Sequence, residues 1–112
     1  MTTFDDREKA FEKKFVLDEE TRFKATVRRN RLLGLWAAEK LGLSGSDAED
    51  YAKAVIKADF EVPGDEDILR KLRADFAAKN VDLSEHQIKH TISEFMAKAM
   101  QQLEAESKKG VL

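Results

Sequence analysis

Cysteine is absent from the 112 residues, and that gap removes disulfides, thiolate zinc sites and cysteine nucleophiles together. Proline occurs once, at position 63, and glycine five times. With Ala, Glu, Lys, Leu and Arg abundant, that scarcity of helix breakers favours a helical domain. An excess of one charge is also lacking. Twenty basic residues stand against 22 acidic ones, and the formal charge of −2 gives no general attraction to nucleic acid or to an anionic membrane. No apolar run approaches the roughly 20 residues that span a bilayer, so direct membrane insertion is not expected. The opening stretch lacks the continuous apolar core of a signal peptide, which makes the cytoplasm the expected compartment. What is present suits one domain: 42% of the residues are hydrophobic, enough for a modest core.

The periodicity is almost entirely helical. Asp18 can cap a helix that opens with Glu19 and Glu20, acids well placed at the positive end of its dipole. That helix runs through RFKATVRRNRLLGLWAAEKL and should stop at Gly42, where a left-handed residue is cheap for glycine. Its first half is basic, with Arg22, Lys24, Arg28, Arg29 and Arg31. The stretch from Leu32 to Ala38 is apolar nearly all round, as expected of a central helix with neighbours on several sides. Gly34 would let one neighbour approach closely.

Ser46 and Glu49 read as a capping box that launches a second helix, with Tyr51, Val55, Ile56 and Phe60 on its inner side. The EVPG stretch then marks a turn at Pro63 and Gly64. A third helix would bury Ile68, Leu69, Leu72 and Phe76 and stop at Asn80. Ser84 and Gln87 form another capping box. It opens a fourth helix with Ile88, Ile92, Phe95, Met96, Ala99 and Leu103 in one stripe, fraying before Gly110. No strand pattern competes and no internal repeat is present. The predicted fold is an all-α four-helix bundle over residues 18–112, preceded by a flexible, conditionally helical segment at 1–17.

That leading segment, MTTFDDREKAFEKKF, carries three phenylalanines among charged neighbours. Phe4, Phe11 and Phe15 are spaced by seven and four, so a helix would place them on one face. Asp5 and Lys9 form a favourable pair at four-residue spacing, worth only about 0.2–0.5 kcal/mol. An isolated helix this short is marginal in water. Burying three phenylalanines yields about 1.5–3 kcal/mol each. Ordering fifteen backbone residues costs about 1 kcal/mol each, so the rings alone cannot order the segment. A partner must add charge pairing and hydrogen bonds along the polar face, which points to a deep mixed groove. The alternative is a first helix folded back so that the phenylalanines join the bundle's own core.

Other constellations are thin. His86 and His90 lie four apart on one helix face, a spacing that can bind zinc, but Gln, Ile and Lys between them supply no general base and no third ligand is apparent. The acids Asp47, Glu49, Asp50, Asp59, Glu61, Asp65, Glu66 and Asp67 read as solvated faces and helix starts. No serine–histidine–acid arrangement and no glycine-rich phosphate loop occurs. An enzyme is not expected, and no metal site is assigned.

FDDRE near the start, followed by FKATVRRNRLLGLWAAEKLGL, resembles the ATPase inhibitor zeta subunit family of alphaproteobacterial F-type ATP synthases. The likeness is closest over residues 3–43, and RRNRLLGLWAAE is its most specific part. It implies a four-helix bundle whose N-terminal segment does the inhibiting. That segment would enter a catalytic interface between alpha and beta subunits, beside the gamma subunit of the rotating central stalk, and become helical there. Carried over by position, Phe4, Asp5, Asp6, Arg7, Glu8, Phe11, Glu12 and Phe15 would make the inhibitory contacts. The location would be peripheral to the inner membrane, through the synthase. No cofactor is required, but the resemblance also implies ATP or ADP as a regulatory ligand on the bundle. Arg28, Arg29 and Arg31 would then meet phosphate and Trp36 would offer a stacking surface. Taken on their own, those arginines read instead as a solvated or partner-facing surface and Trp36 as core. A helical adaptor, or a nucleotide-binding regulatory module without inhibition, is the alternative function.

Overall fold

The computed structural model describes residues 19–61 and 64–108. Over these the chain forms four α-helices: α1 Glu19–Lys40, α2 Gly45–Glu61, α3 Glu66–Ala78 and α4 Glu85–Lys108. No strand occurs among the described residues, in keeping with the all-α bundle read from periodicity. The segment 1–17, with Phe4, Asp5, Asp6, Arg7, Glu8, Phe11, Glu12 and Phe15, lies outside the described residues, as do Asp18, Pro63 and Gly110.

α1 is the central helix. It packs most extensively on α2, then on α4, and reaches α3 where the Trp36 ring meets Phe76 edge-on at 5.8 Å. The close approach is permitted by Gly34, which sits over Ala52 of α2. Leu33 and Ala37 of α1, Val55 of α2, Ile68, Leu69, Leu72 and Phe76 of α3, and Ile88 and Ile92 of α4 form one apolar core. Phe76 is the largest fully buried side chain in it. Burial of each such residue is worth about 1.5–3 kcal/mol, which is what turns four marginal helices into one bundle.

Two helix ends share one device. After α1, the Leu43 amide donates to the Ala38 carbonyl at 2.8 Å and the Gly42 amide to Glu39 at 3.1 Å, with Gly42 at φ +80°. After α3, Val81 donates to Phe76 at 2.8 Å and Asn80 to Ala77 at 3.1 Å, with Asn80 at φ 58°. Both are Schellman ends, one turned by glycine and one by asparagine. The capping box at the start of α4 is reciprocal: the Ser84 amide donates to Gln87 Oε1 at 2.8 Å, and the Gln87 amide to Ser84 Oγ at 3.1 Å.

Two sequence expectations fail for α2. The helix opens at Gly45, so Ser46 lies within its first turn, and the Glu49 carboxylate is taken by Arg31 of α1 instead of reaching back to a capping serine. Phe60 does not face inward either. It is 53% exposed, while Ala52 and Val55 carry the buried face of α2.

Candidate functional site

The basic half of α1 presents three arginines that diverge toward three different neighbours. Arg28 and Arg31, three positions apart, are neighbours about 60° round the helix, whereas Arg29 lies about 100° or more from both, so the three do not all share one face. Arg28 turns toward α4, where its guanidinium clasps the Glu106 carboxylate with both terminal nitrogens, Nη2 to Oε1 at 2.9 Å. Arg31 turns toward α2 and donates to Glu49 at 2.7 and 2.9 Å. Bidentate pairs of this kind are the most orienting that an arginine makes.

Those hydrogen bonds set the charges. They favour the protonated guanidinium and the ionised carboxylate, so Arg28 and Arg31 are held above the ordinary arginine range, and Glu49 below the usual carboxylate range. A phosphate arriving at either arginine would have to compete with a carboxylate already in place.

Arg29 goes inward. Its side chain is only 3% exposed and donates through Nε and Nη2 to Asn30 Oδ1 at 3.0 and 2.9 Å. Asn30, fully buried, passes the interaction on by donating Nδ2 to Asp59 Oδ2 at 2.7 Å. The Arg29 guanidinium also lies 3.6 Å from Asp59 and 3.0 Å from Asp65. This closed network ties α1 to the end of α2 and the residue that precedes α3. No buried side-chain nitrogen or oxygen among the described residues lacks a hydrogen-bond partner. Asp59 thereby departs from the solvated face expected of it, since its side chain is 8% exposed.

Trp36 is engaged by aromatic neighbours. Its ring packs against Phe76 at 5.8 Å and Phe95 at 6.4 Å, both edge-to-face. The structure therefore takes Arg29 inward and Trp36 into the aromatic packing of the core, while Arg28 and Arg31 line one shallow hollow with Phe23 and Leu103. His86 and His90 are exposed on α4, with His90 Nε2 3.6 Å from Glu94. Among the described residues no cluster of three or more possible ligands could hold a metal ion. No helix among them is long and apolar enough to cross a membrane.

Sequence reading missed one surface. Phe23 of α1 and Phe60 of α2 stack face to face in the open, ring centroids 5.6 Å apart and planes inclined by 14°. A hollow of about 550 Å³ beside them is edged by Glu19, Arg22, Asp59 and Met96. Phe60 looked like a core residue because its spacing from Val55 and Ile56 continues the helical stripe. In the structure Asp59 is the residue of that last turn held against α1 through Asn30, and Phe60, about 100° further round the helix, lies in the open.

The family model for ATPase inhibitor subunit zeta matches residues 1–102. The chain belongs to that family. A protein whose structure was determined in solution by NMR is 46% identical, covers 76% of this chain and 96% of its own, and superposes with a TM-score of 0.67. No curated protein sequence gives a significant match. The match to the family takes in FDDRE and the arginine-rich half of α1 alike. Membership in an ATPase inhibitor subunit family implies association with the ATP synthase.

Proposed function

We propose that this zeta subunit inhibits ATP hydrolysis by the F-type ATP synthase. Residues 1–17 enter a catalytic interface between alpha and beta subunits beside the gamma subunit of the central stalk. There they become helical and block rotation in the hydrolysis direction. Residues 18–112 form the anchor that aims them. Phe4, Phe11 and Phe15 supply the apolar face of the inserted rod, and Asp5, Asp6, Arg7, Glu8 and Glu12 pair along its polar side.

One observation carries this reading: the family match begins at residue 1 and includes the leading segment together with the bundle. The apolar core shared by the four described helices supports the anchoring role as well.

Removal of residues 1–15 tests the assignment. The truncated protein should keep its helical circular dichroism and its unfolding midpoint while losing inhibition of ATP hydrolysis by the cognate synthase. Full inhibition by the truncated protein would show that the segment is not the inhibitor and would favour a helical adaptor role.

A further inference from the structure

Helices α1 and α2 approach closely where Gly34 lies over Ala52. Nothing directional acts at that point, since glycine has no side chain and alanine offers only a methyl group. One close contact leaves the crossing angle open, because packed helices scatter by about 15–20° around each preferred angle. A second contact lies one turn nearer the start of α1. Asn30 donates Nδ2 to Asp59 Oδ2 at 2.7 Å, and Arg29 donates to Asn30 Oδ1 at 3.0 and 2.9 Å. Arg29 and Asn30 are 3% and 0% exposed, and the Asp59 side chain 8%.

A buried charge network is a costly way to fill the space between two helices, and apolar side chains of similar volume often hold a fold as well or better. What the hydrogen bonds add is direction, since they are met together at one register and one angle. The other polar ties of α1 are more open to water. Arg31 and Glu49 are 49% and 44% exposed, and Arg28 and Glu106 29% and 32%, so solvent weakens their grip.

We infer that Arg29, Asn30 and Asp59 are positioning residues that fix the direction in which α1 carries the inhibitory segment. The inference rests on the proposed inhibitory function and adds which side chains aim the segment. The chain ahead of α1 is joined to it at Glu19, so the first turn of α1 sets where the segment starts. From Asn30 back to Glu19 is about 16 Å of helix, and a change of about 15° in the crossing angle moves Glu19 by about 4 Å. A shift of that size is larger than a hydrogen bond tolerates. The network thus holds the leading half of α1 at one angle, where the Gly34–Ala52 contact alone would let it swing like a scissor blade.

The experiment replaces the whole network by apolar side chains in the full-length chain, with Arg29→Met, Asn30→Leu and Asp59→Leu together. Parent and variant are compared by urea unfolding, by residual dipolar couplings of the backbone amides, and by inhibition of ATP hydrolysis by the purified synthase. The expected variant has a urea midpoint at or above the parent's, α1 amides reoriented relative to those of α2, and about a tenfold higher concentration for half-inhibition. A folded variant whose α1 keeps the parent's orientation, or which inhibits at the parent's concentration, would overturn the inference. If the triple variant fails to fold, Asp59→Asn and Asn30→Ala decide. Both should lower the urea midpoint. Asp59→Asn keeps an acceptor for Asn30 and should retain most of the orientation and inhibition, whereas Asn30→Ala should lose both. Inhibition that merely follows the urea midpoint across these two would show a structural role and overturn the inference equally. A parent chain that does not inhibit the synthase would instead defeat the inhibitory function itself.

Discussion

Gly34 of α1 faces the backbone of α2 so closely that a Cβ added to it would lie 2.6 Å from the Ala52 Cα and 3.1 Å from its Cβ. Ordinary helix propensity favours alanine over glycine by about 1 kcal/mol at such a position. The obstacle here is backbone, which cannot swing aside as the end of a flexible side chain would. Gly34→Ala is therefore expected to destabilise the bundle by about 1–3 kcal/mol net, seen as a lower urea midpoint with an unchanged slope. A more stable variant would mean that the two helices stand further apart than described.

The buried arginine network makes a prediction by contrast. Asp59 and Asp65 both face Arg29, but their side chains are 8% and 56% exposed. Removing the Asp59 carboxylate leaves Asn30 Nδ2 without its acceptor and Arg29 buried with less compensation. Asp59→Ala should cost about 3 kcal/mol. Asp65→Ala breaks a pair that water largely screens and should cost under about 1 kcal/mol. Comparable losses in thermal unfolding of the two variants would show that burial does not govern this network.

Those residues also mark where sequence reading reaches and where it stops. The left-handed ends at Gly42 and Asn80 and the Ser84–Gln87 capping box were legible because each is set by chemistry within five or six residues. The buried faces of α3 and α4 were legible for a similar reason, their stripes being unbroken. Arg29 and Phe60 were not. Nothing local distinguishes Arg29 from Arg28 or Arg31; which of them turns inward depends on the helix that packs behind it. Asp59 takes that contact, and Phe60, the next residue, lies exposed beside it. Ser46 and Glu49 had the spacing of a capping box, yet a bidentate guanidinium on the neighbouring helix is the stronger partner for Glu49. The inhibitory contacts proposed for the leading segment come from a family resemblance, and those residues lie outside the described ones.

Tyr51 gives the last prediction, and the chain's having a single tyrosine makes it direct to measure. Its hydroxyl donates to Asp75 Oδ2 at 2.6 Å, while Lys71 Nζ donates to the same oxygen at 3.1 Å and lies 5.0 Å from the centre of the tyrosine ring. Burial disfavours the phenolate, and the hydrogen bond and the charge of Asp75 add to that, so the hydroxyl titrates well above its ordinary value of 10.0. A group whose folded-state pKa is raised contributes stability below its unfolded value and loses it as the pH climbs. Below pH 10 both states keep the proton and the contribution is complete. Above it the unfolded chain releases the proton and the folded one does not, so stability should fall by up to about 1.4 kcal/mol per pH unit from this residue alone. Phenolate absorbance should accordingly appear together with loss of helicity in a single alkaline transition. Lysines also titrate in that range, so the difference between the parent and Tyr51→Phe isolates the effect: the variant should show a shallower decline of stability above pH 10. A phenolate signal that rises near pH 10 while the helices stay intact would mean that Tyr51 is neither shielded nor bonded to Asp75.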